Sequence, residues 1–485
     1  MNWKALSILG VLCLAVLIYL EFGIIRVAEK KEEQEKQDAL VFKNIERLES
    51  IQLVNTKSPE ILLRQTNSRW NVEKPFQDIV SKSQLEAFVS SLRALQIKSV
   101  LLEAEEFKAR AQNLDQYGLR DSSFRIKLET GGTVQELILG DMVGDSFEIY
   151  AQRRGEEKIL LVGSDLESAR HQSAEDWREK RLVNVDASQI IRLSIKNKNE
   201  HIEFERESPE KPWKMKKPLA LPIDQEFTNN RISKISLVQA SDFLASAPAA
   251  LQNPDIRVKA LFADGVSDAR SRLDDPLPQG VELFLARKKR PGVNEKDAGD
   301  EFEYFGRSDK SLPATIARFH YENFDRSAKD FVDKQFDDFL STDVEEIRVF
   351  RAGKLDIVVQ KRGSLEQPEI ELRQGEKIEK LGDFGWEKAL QHLRNLVASD
   401  FIAPEKKPAL SKTLIAIELS FKDKSTRYFY FENSDKSARM WTNKSGLELV
   451  YQLREKALDS SLFTPEGFRK IKEESSQVQL KKDKK

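Results

Sequence analysis

The chain has 485 residues, room for three or four domains. It is 40% hydrophobic and 33% charged, with 79 Lys and Arg against 80 Asp and Glu, so its net charge is −1. That content supports real cores beneath a solvated surface and argues against a nucleic-acid partner, which calls for a basic stripe or patch. The single cysteine, Cys13, rules out a disulfide framework and a thiolate metal site in the rest of the chain.

Residues 1–4 read as a short tail inside the cell. Residues 5–25 are apolar apart from Glu21, and Trp3 and Tyr19 sit near the two ends of the run as interfacial aromatics do. About 20 apolar residues cross a hydrocarbon core, so we expect a transmembrane anchor. The segment after it, Arg26-Val27-Ala28-Glu29-Lys30, lacks a small-x-small cleavage site, so the anchor is expected to stay attached. Leu12 before Cys13 does not suit a lipoprotein signal. Lys4 precedes the run, and Arg26, Lys30 and Lys31 follow it, which leans against export by the positive-inside rule. Short tails ahead of large domains are nevertheless commonly exported. We expect the N-terminus inside, an inner-membrane location and the bulk of the chain extracytoplasmic. Residues 26–45 read as a charged juxtamembrane segment.

Beyond it the chain repeats itself. Trp70-Asn71-Val72-Glu73-Lys74-Pro75 recurs as Trp213-Lys214-Met215-Lys216-Lys217-Pro218, and Asp176-Trp177-Arg178-Glu179-Lys180 as Asp330-Phe331-Val332-Asp333-Lys334. Ala240-Ser241-Asp242-Phe243 recurs as Ala398-Ser399-Asp400-Phe401. The spacing, about 150 residues, is that of a small domain. We therefore expect three units, over 46–187, 188–342 and a divergent 343–470, before a disordered tail at 471–485.

Each unit opens with strand-like runs: Ile51 to Val54, Ile191 to Ile195, and Ile347 with Val349. A helix follows in each. Its apolar stripe aligns Val89 with Ile232 and Leu390, Leu92 with Ile235 and Leu393, and Leu95 with Val238 and Leu396. Val100, Phe243 and Phe401 end the series as expected core. Alternating runs come next, such as Phe124 to Leu128 and Leu137 to Leu139 around the hairpin pair Gly131-Gly132. A helix at 176–182, 330–336 and 454–458 should close each unit. The outline β-β-β-α-β-β-β-α implies an α+β fold on antiparallel sheets. In the third unit Glu371 stands where a tryptophan is expected, and Trp386 is a candidate to fill that space from elsewhere. The segment 291–300 reads as a connector.

The Trp-x-x-x-x-Pro segment, Tyr117-Gly118-Leu119 ahead of a strand, and the acidic-aromatic-x-x-Lys segment together resemble the bacterial domain-of-unknown-function 4340 family over roughly 45–468. That resemblance implies an N-terminal anchor, tandem α+β units outside the membrane, and association with ABC-type transport systems, including those linked to gliding motility. It implies no catalytic residues.

No motif supplies chemistry. His171, His201, His320 and His392 lack metal-ligand spacing. Residues 140–145, Gly-Asp-Met-Val-Gly-Asp, lack the Lys-Ser/Thr of a phosphate loop. Ser208-Pro209-Glu210-Lys211 has Ser-x-x-Lys spacing but sits in a hairpin turn. Asp176, Trp177 and Lys180, with Asp330, Phe331 and Lys334, could be a site used twice, and Trp70 and Trp213 could stack on a sugar. Helix starts and core aromatics explain them more simply. We expect no catalytic, cofactor or metal site, and a non-enzymatic accessory or scaffold subunit of an envelope transport complex with protein partners. The alternative is a cell-envelope glycan-binding protein or glycan hydrolase, which needs two carboxylates flanking an aromatic-lined cleft.

Overall fold

The computed structural model describes residues 38–469, except 57, 68, 121–123, 267, 272–278, 291–300, 364–367 and 433–437. The expected anchor at 5–25, most of the juxtamembrane segment, the connector at 291–300 and the tail at 471–485 lie outside the described residues. Among the described residues no helix is long and apolar enough to cross a membrane. Contacts divide the chain into two compact units, Met1–Lys180 and Arg181–Lys485.

The first unit holds one antiparallel sheet of nine strands. Across the sheet they run Asp78–Ile79, Arg69–Lys74, Ser58–Thr66, Leu48–Asn55, Phe124–Thr130, Thr133–Met142, Glu148–Arg153, Ile159–Gly163 and Ile97–Leu102. The chain starts at the centre and builds outward through hairpins to one edge. Helix Lys82–Ala94 then carries it across one face to the opposite edge, and it returns at Phe124 beside the first strand. The alternation reads directly: Phe124, Ile126 and Leu128 are buried, while Arg125 and Lys127 turn outward. The helix buries Leu85, Phe88 and Leu92, a stripe of i, i+3 and i+7.

The second unit holds two sheets of the same design. One runs Lys214–Lys217, His201–Glu205, Ile190–Lys196, Ile256–Phe262, Gly280–Lys289, Phe302–Ser308, Ala314–Ile316 and Ala240–Phe243. The other runs Lys377–Leu381, Pro368–Gln374, Lys354–Gly363, Val344–Arg351, Ile415–Phe421, Thr426–Glu432, Ala438–Lys444, Leu447–Leu453 and Asp400–Pro404. Strand order matches the first sheet position for position; the eight-stranded sheet lacks only the two-residue edge strand. The two sheets share one hydrophobic core. Three antiparallel sheets carry the fold, and helices are fewer than an α+β outline suggests.

The closing helices are the main correction. Ala174–Trp177 and Ala328–Phe331 are single 3-10 turns, each started by a Ser–Asp capping box, Ser173 with Asp176 and Ser327 with Asp330. They stop there because the following amides find strand partners. Glu179 N–H donates to Ile79 O and Asp333 N–H to Pro222 O. Residues 454–458 form a turn. In the third sheet the closing turn is Ser460–Phe463, so Phe463 stands where Trp177 and Phe331 stand. All three rings are fully buried.

After each aromatic plug the chain enters the next sheet. Arg181 bridges Gln239, and Gln335 bridges Val397; Leu40 bridges Gln96 in the same way at the start of the first unit. The next residues sink into the core: Val41 and Phe42, Leu182 and Val183, and Phe336. Leu182 and Val183 therefore serve the second sheet, ahead of its first strand at Ile190. A cation grips each entering strap by its carbonyls. Arg153 donates to Leu40 O and Val41 O at 2.6 and 2.9 Å, Arg270 to Arg181 O at 3.0 Å, and Lys444 to Gln335 O at 2.5 Å. The three cations come from different places in their sheets, but the carbonyl they hold is equivalent.

Other residues depart from the expected core. Val100 is exposed and Phe243 half-buried, whereas Phe401 is buried. Trp70 is half-buried, and Trp213 is buried with its indole donating to Asn229 Oδ1 at 2.8 Å. Both following prolines, Pro75 and Pro218, are cis. In the third sheet Ile370 and Leu372 take the inward positions of the strand, and Glu371 points outward to Arg362. Trp386 is fully buried on helix Phe384–Arg394, one turn before Leu390. It occupies the helical position held by Leu85 and Thr228.

Candidate interaction grooves

The residues singled out by sequence are fastenings. Asp176 Oδ2 accepts from Ser173 Oγ at 2.8 Å and Ser173 N at 2.9 Å, and those bonds hold its carboxyl below the usual range. Trp177 packs edge-to-face on Phe88 at 5.1 Å, and Phe331 packs on Phe204 at 4.8 Å. Lys180 lies 3.9 Å from Asp176, while Lys334 pairs with Asp400 at 3.4 Å. The repeated motif therefore does not converge on a shared cleft. Ser208 Oγ donates to Glu210 at 2.8 Å in the expected hairpin turn. Gly140 lies within strand Thr133–Met142, where a Cβ would fall 2.0 Å from Tyr117 O, so that close approach requires glycine.

The histidines are dispersed. His171 is exposed beside Glu167. His201 bonds Ser194 Oγ at 2.9 Å. His320 Nε2 accepts from Gln239 N–H at 3.4 Å, and His392 Nε2 from Asp459 N–H at 2.9 Å. Burial pushes the latter two down from the ordinary histidine value. No group of three His, Cys, Asp or Glu could hold a metal ion among the described residues.

Two grooves lie at one end of the repeated sheet, where the entering strap meets the hairpin that follows the central strand. Register fixes the equivalence: Leu48 pairs with Thr130, Ile190 with Phe262, and Val344 with Phe421. In the first sheet this place is a groove of about 450 Å³ lined by Lys43, Arg47, Gly131 and Gln135. In the third it is an open groove of about 840 Å³ lined by Asp337, Asp338, Leu340, Asp343, Asp423 and Arg427 among others. Arg427 is buried and reaches Asp338 through both Nη atoms at 3.3 Å. Asp423 accepts from Ser425 N–H at 2.9 Å, and the Ser425 hydroxyl and N–H hold its carboxyl low.

In the second sheet the same place is filled by the chain itself. The hairpin segment after Phe262 folds back along the strap. Ala263 N–H donates to Gln189 O at 2.8 Å, Ala269 N–H to Asn184 O at 2.9 Å, and Asn184 N–H to Asp268 Oδ2 at 2.8 Å. Burial raises the Asp268 carboxyl, while the backbone N–H groups of Arg270 and Asn184 and the nearby Lys310 and Arg270 cations oppose that shift. Sequence reading missed this end of the sheet. Its signal was present in the unequal hairpins: Gly131-Gly132 in the first sheet, 422–425 in the third, and the long 263–279 in the second.

No curated protein matches this chain. Residues 70–254 match the model of one family, starting in the third strand of the first sheet and ending just before strand Ile256–Phe262. That family is the one described as Domain of unknown function (DUF4340), and the match covers this stretch of the chain.

Proposed function

We propose that this chain is a membrane-anchored, extracytoplasmic accessory or scaffold subunit of an envelope ABC-type transport complex, acting by binding other proteins. The observation that carries the proposal is the threefold use of one sheet design with an open groove at the same end of the first and third copies. Repetition of a core with differently charged openings suits a protein that presents several surfaces to partners. The apolar run at 5–25 supports the anchor. Crosslinking followed by mild-detergent purification from membranes should recover permease or related transporter subunits. Recovery of the chain alone would overturn the proposal. Orientation is tested with Leu355→Cys, at an exposed strand position in a chain whose only other cysteine is Cys13. An impermeant maleimide should label it from the extracytoplasmic side of intact spheroplasts.

The glycan reading draws on the acidic groove beside Phe339 and Phe421. A glycosidase needs one carboxyl held protonated. Asp423 is shifted the other way, and Asp338 is tied to Arg427. Both facts favour the scaffold reading.

A further inference from the structure

The groove of the third sheet corresponds to a place that, in the second sheet, a turn-containing segment of the chain itself fills. Arg181 to Gln189 and Gln335 to Asp343 are equivalent straps of equal length, since each ends immediately before the paired residues Ile190 and Val344. The first contact after the central hairpin strand is the same in both: Ala263 N–H donates to Gln189 O, and Lys422 N–H to Asp343 O. Beyond that the sheets diverge. In the second sheet the backbone N–H and C=O of Asn184 are both satisfied by the 263–271 segment. In the third sheet the hairpin turns back at once, and the backbone N–H and C=O of the equivalent Asp338 have no hydrogen-bond partner among the described residues. Buried Lys444 takes over the strap carbonyl that Arg270 holds in the second sheet, so the strap keeps its place without the loop.

What remains is an opening of about 840 Å³ with Asp338 among its lining residues. Its apolar floor is Phe339, Phe421 and the exposed Leu340. Asp337 and Asp343 are exposed and make no ion pair among the described residues, and Asp423 adds a third charge. Lys422 opposes these charges, and Arg427 is committed to Asp338. Unused backbone groups recruit an extended chain, pockets for alternate side chains set its specificity, and net charge selects its sign.

We infer that the third sheet's groove docks an extended segment of a partner protein, carrying Lys or Arg between apolar residues, along strap residues 337–343 as the 263–271 loop lies along 183–189. This inference rests on the scaffold reading above. It is tested with the full-length chain in its membrane, with a photo-crosslinking benzophenone residue placed at Ser425 or Ser445 in the groove, and at Leu355 as a control. The expected result is a groove-specific adduct that maps by mass spectrometry to one basic-apolar segment of one partner. D337K/D343K should lower its yield at least ~tenfold, as a reversed charge pair at an interface does. Four outcomes overturn the inference: an adduct with residues 470–485 of this chain, an adduct with a second copy, equal labelling from Leu355, or indifference to the charge reversal. Partner recovery with a silent groove defeats the docking site and leaves the scaffold function standing. Loss of partner recovery from the unmodified chain defeats both.

Discussion

Phe336 is the residue through which the second unit's chain enters its last sheet, and Phe336→Ala measures what that entry contributes. The ring is fully buried, with Tyr451 edge-on at 5.0 Å and 87°, and Phe429 at 6.2 Å and 80°. Truncating a buried Phe to Ala costs ~3–5 kcal/mol. Edge-to-face pairs add about 0.5–1.5 kcal/mol beyond area burial, which places this site toward the upper end of that range. Each ~1.4 kcal/mol is a factor of ten in an opening equilibrium, so amides that exchange through opening of this sheet should speed up by roughly 10³-fold or more. Hydrogen-exchange mass spectrometry on peptides covering Ile415–Phe421 and Leu447–Leu453 reads this directly. Strand Phe124–Thr130 of the first unit serves as an internal reference and should not change. Phe336→Leu should recover more than half of the loss, because it refills most of the void. Acceleration below tenfold, or equal acceleration in the first unit, would refute the reasoning that the strap is an integral part of the third core.

Lys444→Met removes the cation held by Asp333 Oδ2 and Gln335 O, each at 2.5 Å, while keeping the length of the side chain. Asp333 is partly exposed and can rehydrate, so the cost should be ~1–3 kcal/mol, read as a fall in the urea midpoint of the third sheet. Gly385→Ala should destabilise strongly, because its Cβ would lie 2.3 Å from Phe468 O; Gly382→Ala, with nothing within 4 Å, should be near neutral in a thermal melt. His320 and His392 are pushed down in the folded chain, so the unfolded chain takes up protons first as pH falls. Their contribution is intact above the unfolded value of about 6.5 and is lost as pH falls from there toward the folded values. His392→Gln should flatten that loss of stability between neutral and mildly acidic pH, and an unchanged slope would remove His392 from the account.

Much of the repeat was legible because it is written in burial. The aligned triplets lie on the helices or at their C-terminal ends; Leu92, Ile235 and Leu393 are fully buried at equivalent places. Leu95, Val238 and Leu396 lie just past the regular helix, buried, and Leu95 and Val238 are in extended backbone; a 3.6-residue period cannot mark that boundary. The acidic-aromatic segment looked helical because a capping box and an acidic first turn begin helices and 3-10 turns alike. What ended it was a long-range partner, Ile79 or Pro222, which no local pattern contains. Phe463 was missed for a related reason: Arg454-Glu455-Lys456 copies the letters of an earlier segment, but the buried ring lies further along. The grooves were illegible because they depend on which loop is short. Gly131-Gly132 and the 263–279 segment differ in length by sequence alone, but only register places them at the same end of the same sheet.

The entering straps also decide where this protein can be cut. A fragment that opens at the first long strand, at Leu48, Ile190 or Val344, would carry every residue of its sheet and still lack Val41 and Phe42, Leu182 and Val183, or Phe336. The excised piece would be left with an apolar slot and a cation, Arg153, Arg270 or Lys444, aimed at carbonyls that are no longer there. Such a fragment invites any passing extended chain to fill the slot. The sound excision point lies earlier, just behind Trp177, where Lys180 ends one compact unit and Arg181 begins the other; the second and third sheets share one core and stay together.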